Sequence, residues 1–168
     1  MPQAKSPIRP QPTGRPRTGA RVAAVQALFQ AEQGPANPET VIDEFVRYRL
    51  GSNEAGTGFD DGRVEDVDVK LFVRIVRHAV TEQDRLDAMI VDTLAEGWPL
   101  DRLDPVLRAV IRAGAAELAM PDGAPVKVVI NEYLDVSHGF FEGDEPRMAN
   151  GVLDKLAHQL RPREFGAA

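Results

Sequence analysis

Apolar residues recur along this chain at spacings of three and four, and nowhere at a spacing of two over a useful length. That is the periodicity of amphipathic helices rather than strands. Val22, Val25, Leu28 and Phe29, with Ala23, Ala24 and Ala27 between them, predict a first helix over Thr18–Glu32, ended by Gly34-Pro35. Asn37-Pro38 has the form of an N-cap followed by proline at the first helical position. It opens a second helix through Val41, Ile42, Phe45 and Val46 to Leu50. The polar, Gly-rich run GSNEAGTGFDDG at 51–62 is a loop. A third helix over Val67–Thr81 presents Val69, Phe72, Val73, Val76 and Val80. A fourth over Gln83–Glu96 presents Leu86, Met89, Ile90 and Leu94, and breaks at Gly97 and Pro99 around Trp98. Asp104-Pro105 repeats the cap-and-proline pattern and opens a fifth helix through Val106, Leu107, Val110 and Ile111 to Leu118.

The next segment is ambiguous. Val126–Ile130 is β-prone, and a short strand is the alternative there. Val129, Tyr133, Val136 and Phe140, spaced at 4, 3 and 4, favour a sixth helix with Pro125 in its first turn. A seventh helix, Glu145–Gln159, carries Met148, Val152, Leu153 and Leu156, with Leu160 just beyond. There is no internal repeat. The expected fold class is all-α, about seven helices in a single domain.

Composition changes this picture in two ways. The 168 residues hold no cysteine, which removes disulfides, thiolate catalysis and cysteine-based zinc sites and fits a reducing compartment. The N-terminus lacks the apolar core of a secretory signal, and no apolar run approaches the roughly 20 residues that span a bilayer. A cytoplasmic location is expected. The net charge of −6 also hides an asymmetry. Residues 1–21 carry Lys5, Arg9, Arg15, Arg17 and Arg21 and no acid, whereas the remainder holds 15 basic against 26 acidic residues. Pro2, Pro7, Pro10, Pro12 and Pro16 argue against helix, so residues 1–16 are expected to form a disordered basic arm and 17–163 the domain. A basic arm can contact phosphates locally while an acidic body repels a polyanion at range; the alternative is a solubilising tail.

No catalytic constellation emerges. His78, His138 and His158 fall on three different predicted helices, without the i, i+4 pairing of a helical metal site. Phosphate-cradling and nucleophile-elbow motifs are missing. Asp60-Asp61 and Asp66/Asp68 read as solvated or N-capping acids rather than acid–base partners. Trp98 beside Pro99 reads as a core residue at a helix joint before it reads as a stacking platform. No cofactor and no metal are expected, and a binding protein is favoured over an enzyme.

Several blocks, in order, carry a family resemblance. Arg15, Arg17 and Arg21 lead into Ala24-Val25-Gln26-Ala27-Leu28-Phe29. Asp66-Val67-Asp68 precedes a helix, Leu86-Asp87 follows, and Val110-Ile111-Arg112 runs on to Glu117-Leu118. Pro125-Val126-Lys127-Val128-Val129-Ile130-Asn131-Glu132 is followed by Asn150-Gly151-Val152-Leu153-Asp154-Lys155. Over about residues 15–160 the chain resembles the NusB family. It departs from the family pattern where Pro16, Thr18 and Gly19 interrupt the arginines, where Met148-Ala149 replaces Phe-Val, where Ala116 replaces an aromatic, and where Phe141 follows Phe140.

The resemblance implies two packed antiparallel helical bundles, about 17–81 and 83–160. It implies binding of the single-stranded boxA element of nascent ribosomal RNA leaders. It implies a heterodimer with NusE, a small-subunit ribosomal protein, within an RNA polymerase elongation complex that also holds NusA and NusG. A homodimer of the free chain is left open. The RNA-binding residues expected on this basis are Arg15, Arg17, Arg21, Gln26, Phe29, Arg147, Met148 and Asn150. Guanidinium groups suit phosphate and amides can read base edges. Gln26 can equally be a solvated amide, Asn150 a helix cap, and Phe29 a core residue. Asn131 and Glu132 are expected to be at least half-buried groups pinning the sixth helix. Trp98, Asp101, Arg102, Asp104 and Arg108, around the joint of helices four and five, are the expected partner surface, an apolar anchor within alternating charge. Two other readings stay open: an accessory domain associated with ribosomal RNA modification, and a helical protein–protein adaptor.

Overall fold

The cap-and-proline signals hold at atomic detail. In the computed structural model, which describes residues 15–50, 67–94 and 98–166, Asn37 Oδ1 accepts from Thr40 N at 3.0 Å. Asp104 Oδ1 accepts from Val106 N at 2.8 Å and Leu107 N at 3.3 Å. Among the described residues the chain forms α1 (Arg15–Gln33), α2 (Pro38–Tyr48), α3 (Val69–Thr81), α4 (Gln83–Thr93), α5 (Pro105–Ala119), α6 (Val126–Phe140) and α7 (Glu145–Leu160), with 3₁₀ turns at Leu100–Arg102 and Pro162–Phe165.

Of the boundaries that differ from expectation, three do so for identifiable local reasons. Helix α1 begins at Arg15, two residues inside the expected arm, because Pro16 lies in the first turn, where no backbone N–H is required. The rest of the arm, residues 1–14, lies outside the described residues, as do the 51–62 loop and Asp60, Asp61 and Asp66. Helix α3 begins at Val69 rather than Val67, because the Asp68 carboxylate caps Leu71 N at 3.0 Å. Helix α4 stops at Thr93 rather than Glu96. Leu94 turns to extended backbone, and Lys155 Nζ donates to Thr93 O at 3.3 Å, satisfying a terminal carbonyl.

Val126–Phe140 is helical throughout, so the strand alternative fails and Pro125 sits at the N-cap position. Its missing side-chain cap is supplied from the far end of the chain: Glu164 Oε1 accepts from Val126 N at 3.0 Å. The neighbouring Arg161 donates to the carbonyls of Leu118 at 2.7 Å, Glu117 at 3.1 Å and Ala124 at 3.1 Å. One short C-terminal turn thus satisfies the end of α5 and the start of α6 together.

Helices α1–α3 pack as one bundle and α4–α7 as a second, and α5 packs on both. The seam is why α5 is apolar almost all round: Ala109–Ile111 and Ala113–Leu118 are buried, and one continuous apolar core runs through both bundles. Gly114 lets α5 and α7 approach closely, since a Cβ there would lie 2.7 Å from Leu153 Cδ2. Phe45 stacks on Phe72, ring centroids 5.6 Å apart, and closes α2 onto α3.

Candidate nucleic-acid interface

The expected RNA-binding residues separate into an interior group and a surface group. Arg21 is the interior one. Its side chain is 1% exposed, and its Nε and Nη2 donate to Glu117 Oε1 and Oε2 at 2.6 and 3.0 Å. Tyr133 Oη donates to the same Glu117 Oε1 at 2.8 Å, and Glu132 Oε1 lies 3.5 Å from Arg21 Nη1. Glu132 in turn accepts from Thr18 Oγ1 at 2.9 Å. Burial works against the guanidinium charge, but the hydrogen bond and the charge of Glu117 outweigh it and raise the Arg21 pKa. Burial first, and then the Glu117 charge, push the Tyr133 hydroxyl well above its ordinary value. Arg21 therefore lies inside the fold rather than at the surface, a buried tie between α1, α5 and α6. Glu132 is half-buried as expected, whereas Asn131 is exposed.

Arg17 does not share a face of α1 with the amide of Gln26. Arg17 is exposed, its Nε 4.0 Å from Asp68 Oδ2 at the head of α3. Gln26 follows nine residues later, two and a half turns at 3.6 residues per turn, and so faces the opposite side of α1. Arg15 opens α1. On α7, Arg147 is exposed, and Met148 and Asn150 are half-buried, with Met148 packed against the core. Helix α6 packs on both α1 and α7.

Gln26 and Phe29 are both at the surface; Phe29 is 36% exposed and is not the core residue its spacing allowed. They line a groove of about 480 Å³ with Gln30, Gln33, Arg49 and Phe140. The last four were not foreseen. The signal was present for two of them, since Gln26, Gln30 and Gln33 form a polar stripe at i, i+4 and i+7 along α1.

The expected partner surface also divides. Trp98 is 55% exposed, so the reading as a core residue at the joint is overturned; Asp101 and Arg102 are exposed beside it. Asp104 spends one carboxylate oxygen capping α5. Arg108 is buried and unavailable to a partner. Its Nη1 donates to the carbonyls of Leu100 at 3.2 Å, Asp101 at 3.3 Å and Leu103 at 2.8 Å. Its Nε reaches Glu32 Oε2 at 2.9 Å, and its Nη2 also bonds Glu32. Glu32 pairs with Arg112 as well, and Arg112 holds Asp87 of α4 in a two-pronged contact at 2.9 and 2.8 Å.

The Arg108 hydrogen bond, against a smaller opposing effect of burial, holds the Glu32 carboxyl below its usual range, and Arg112 adds to the lowering. A depressed folded-state pKa contributes stability above the unfolded value, about 4.3, that is lost as pH falls through the folded value. Urea midpoints are expected to fall as pH drops below about 5, and Glu32→Gln should flatten part of that decline. An unaltered acid profile in Glu32→Gln would show that the pair does not govern it.

Among the described residues no helix is long and apolar enough to cross a membrane, and no cluster of His, Asp and Glu could hold a metal ion. Residues 18–158 match the NusB family model. The chain is 62% identical over 151 residues to the transcription antitermination protein NusB of Granulibacter bethesdensis, covering 90% of this chain and 93% of that one. It is 55% identical over 148 residues to the same-named protein of Gluconobacter oxydans, covering 88% and 90%. Its fold is similar to that of T. maritima NusB, with a TM-score of 0.70 at 25% identity over 90% of this chain and 98% of that one. It is also similar to a chain in a crystal structure of antitermination factors NusB and NusE in complex with dsRNA, with a TM-score of 0.67 at 24% identity over 87% and 98%. With a family model spanning 18–158 and relatives this similar along almost their whole length, the chain belongs to the NusB family.

Proposed function

We infer that this chain is an RNA-binding transcription antitermination factor. Paired with NusE, it binds the boxA element of nascent ribosomal RNA leaders and supports processive elongation by RNA polymerase together with NusA and NusG. That work belongs in the cytoplasm. The observation that carries the reading is the 62% identity, over nine-tenths of the chain, to a protein named for antitermination. The partner and the nucleic acid follow the NusB–NusE–dsRNA complex in which a similar fold is found. The surface is compatible with both. Gln26, Phe29, Arg147 and Asn150 offer amides, a ring and a cation to RNA, with Arg15 and Arg17 near the arm. Trp98, Asp101 and Arg102 offer an aromatic anchor with charge around it.

The test is co-purification with NusE followed by calorimetric titration of a boxA RNA, single-stranded and as a duplex, into the free chain and into the pair. The acidic body makes the chain alone a poor polyanion binder, so the pair is expected to bind more tightly. Arg17→Ala should lower the salt slope by about one without moving the melting temperature. Failure of the NusE pair to bind either RNA would remove the reading, and equal affinities with and without NusE would remove its cooperative part.

A further inference from the structure

Helix α3 differs in charge from the other described helices. Its sequence, VKLFVRIVRHAVT, has no Asp or Glu, whereas each of the others from α1 to α7 carries at least one. Lys70, Arg74 and Arg77 stand at i, i+4 and i+7 on one face, opposite the buried stripe Phe72, Ile75, Val76 and Ala79. All three are exposed. At the rise of an α-helix they span roughly 10 Å of its axis. Beyond residue 21 the chain holds 15 basic against 26 acidic residues, so a face with three cations and no acid of its own is a local reversal of the field.

Two of the three cations have partners, and both pairs are open to solvent. Arg77 Nε and Nη2 donate to Glu39 Oε1 and Oε2 at 2.8 and 2.9 Å, and Arg74 Nη2 bonds Asp122 Oδ1. All four side chains are about half exposed or more. Such pairs add little to stability, and a guanidinium whose Nη1 edge is open can take a phosphate beside its carboxylate or in place of it. Lys70 makes no ion pair among the described residues. The stripe also starts where α1 begins. Asp68 N, at the N-cap of α3, donates to Pro16 O at 2.9 Å, and Arg17 Nε lies 4.0 Å from Asp68 Oδ2. The cations at the head of α1 and those of α3 therefore meet at one end of the first bundle. We propose that the outer face of α3 is a second RNA contact, on which Lys70, Arg74 and Arg77 bind the phosphates of single-stranded RNA flanking the boxA element. The proposal rests on the RNA-binding reading above and extends its footprint onto α3. This face offers cations and neither a ring nor an amide, so it adds affinity and sets the path of the strand without reading its sequence.

The experiment uses the full chain paired with NusE and two single-stranded RNAs, boxA alone and boxA extended at both ends by oligouridine. The wild-type pair is expected to bind the extended RNA more tightly. The triple variant Lys70→Gln, Arg74→Gln, Arg77→Gln should bind boxA alone as the wild type does and lose the gain from the extension. Its salt slope on the extended RNA should be lower by about two, at ~0.7 per phosphate contact on a single strand. Lys70→Gln alone breaks no ion pair, so its fold is not in question, and it should lower that slope by ~0.7. Glu39→Gln releases Arg77 and should raise affinity for the extended RNA more than Asp135→Asn, which makes the same charge change on α6. If Lys70→Gln and the triple variant keep wild-type affinity and salt slope on the extended RNA, the face is no RNA contact, although the RNA-binding reading stands. If the wild-type pair binds neither RNA, both readings fall. An equal loss on boxA alone would put the contact within boxA and overturn the flanking assignment. A triple variant that binds both RNAs normally but no longer joins an RNA polymerase elongation complex would assign the face to a protein and overturn the proposal.

Discussion

Glu117→Ala is expected to destabilise the fold by roughly 3–5 kcal/mol, because it leaves the Arg21 guanidinium buried without its principal counter-charge. Tyr133 Oη would lose its acceptor in the same step. Glu132, 3.5 Å from Arg21 Nη1 and half-buried, is placed to recover part of that loss, which favours the lower end of the range. For a domain of this size the melting temperature should drop by roughly ten degrees. Replacing both partners by apolar residues, Arg21→Met with Glu117→Leu, should cost less than the two single changes added together, since no charge is then stranded. Urea unfolding of the four species closes the cycle. The same series decides what Arg21 does for RNA. Arg21→Met should lose RNA affinity only as far as it loses folded protein. A variant that keeps its wild-type melting temperature and still loses RNA would mean that Arg21 leaves the core to meet a phosphate.

That Arg21 sits inside the fold was partly legible beforehand. It lies three residues before Ala24 and four before Val25, on the buried side of α1, and Glu117 is a lone charge in the apolar run from Ala113 to Leu118. Two isolated opposite charges, each on an apolar face, are the signature of a buried pair. Reading Arg15, Arg17 and Arg21 as one basic cluster concealed it, because spacing in sequence says nothing of direction around a helix until its register is applied. The helices themselves were written locally, in Asn37-Pro38, Asp104-Pro105 and the 4, 3, 4 spacing of α6. Contacts between residues far apart were not. The Glu164 cap of α6, 38 residues away, and the Arg108–Glu32 pair, 76 residues apart, depend on tertiary packing that no periodicity encodes. The groove falls between these cases. Its glutamine stripe was visible in α1, but Arg49 and Phe140 meet it only because α2 and α6 pack on the same helix.

Arg108 links that tertiary network to the proposed partner surface. Arg108→Met is expected to cost roughly 2–4 kcal/mol, because Glu32 loses a charged partner and the carbonyls of Leu100, Asp101 and Leu103 lose their donor in a buried setting. Arg112 remains beside Glu32, so the carboxylate is not left wholly unpaired and the cost stays below that of stranding Arg21. The consequence for NusE is larger than the stability alone. The turn Leu100–Arg102, two residues after Trp98, is anchored to α5 through Arg108, and without that anchor Trp98 no longer has a fixed position. An interface anchor that must be ordered on binding loses affinity through the entropy of ordering it. NusE affinity should fall even at temperatures where Arg108→Met is fully folded, with the loss mainly in the dissociation rate. Asp101→Lys gives the contrast. Its carboxylate is exposed, so folding should hold, while repulsion of a basic partner should slow association and make it more salt-dependent. Asp104→Lys cannot serve that purpose, since removing the α5 cap alone costs about 1 kcal/mol. Surface-plasmon kinetics on the two variants separates the effects. If Asp101→Lys binds NusE at the wild-type rate and Arg108→Met, kept folded, dissociates no faster, then the joint around Trp98 is not where NusE binds.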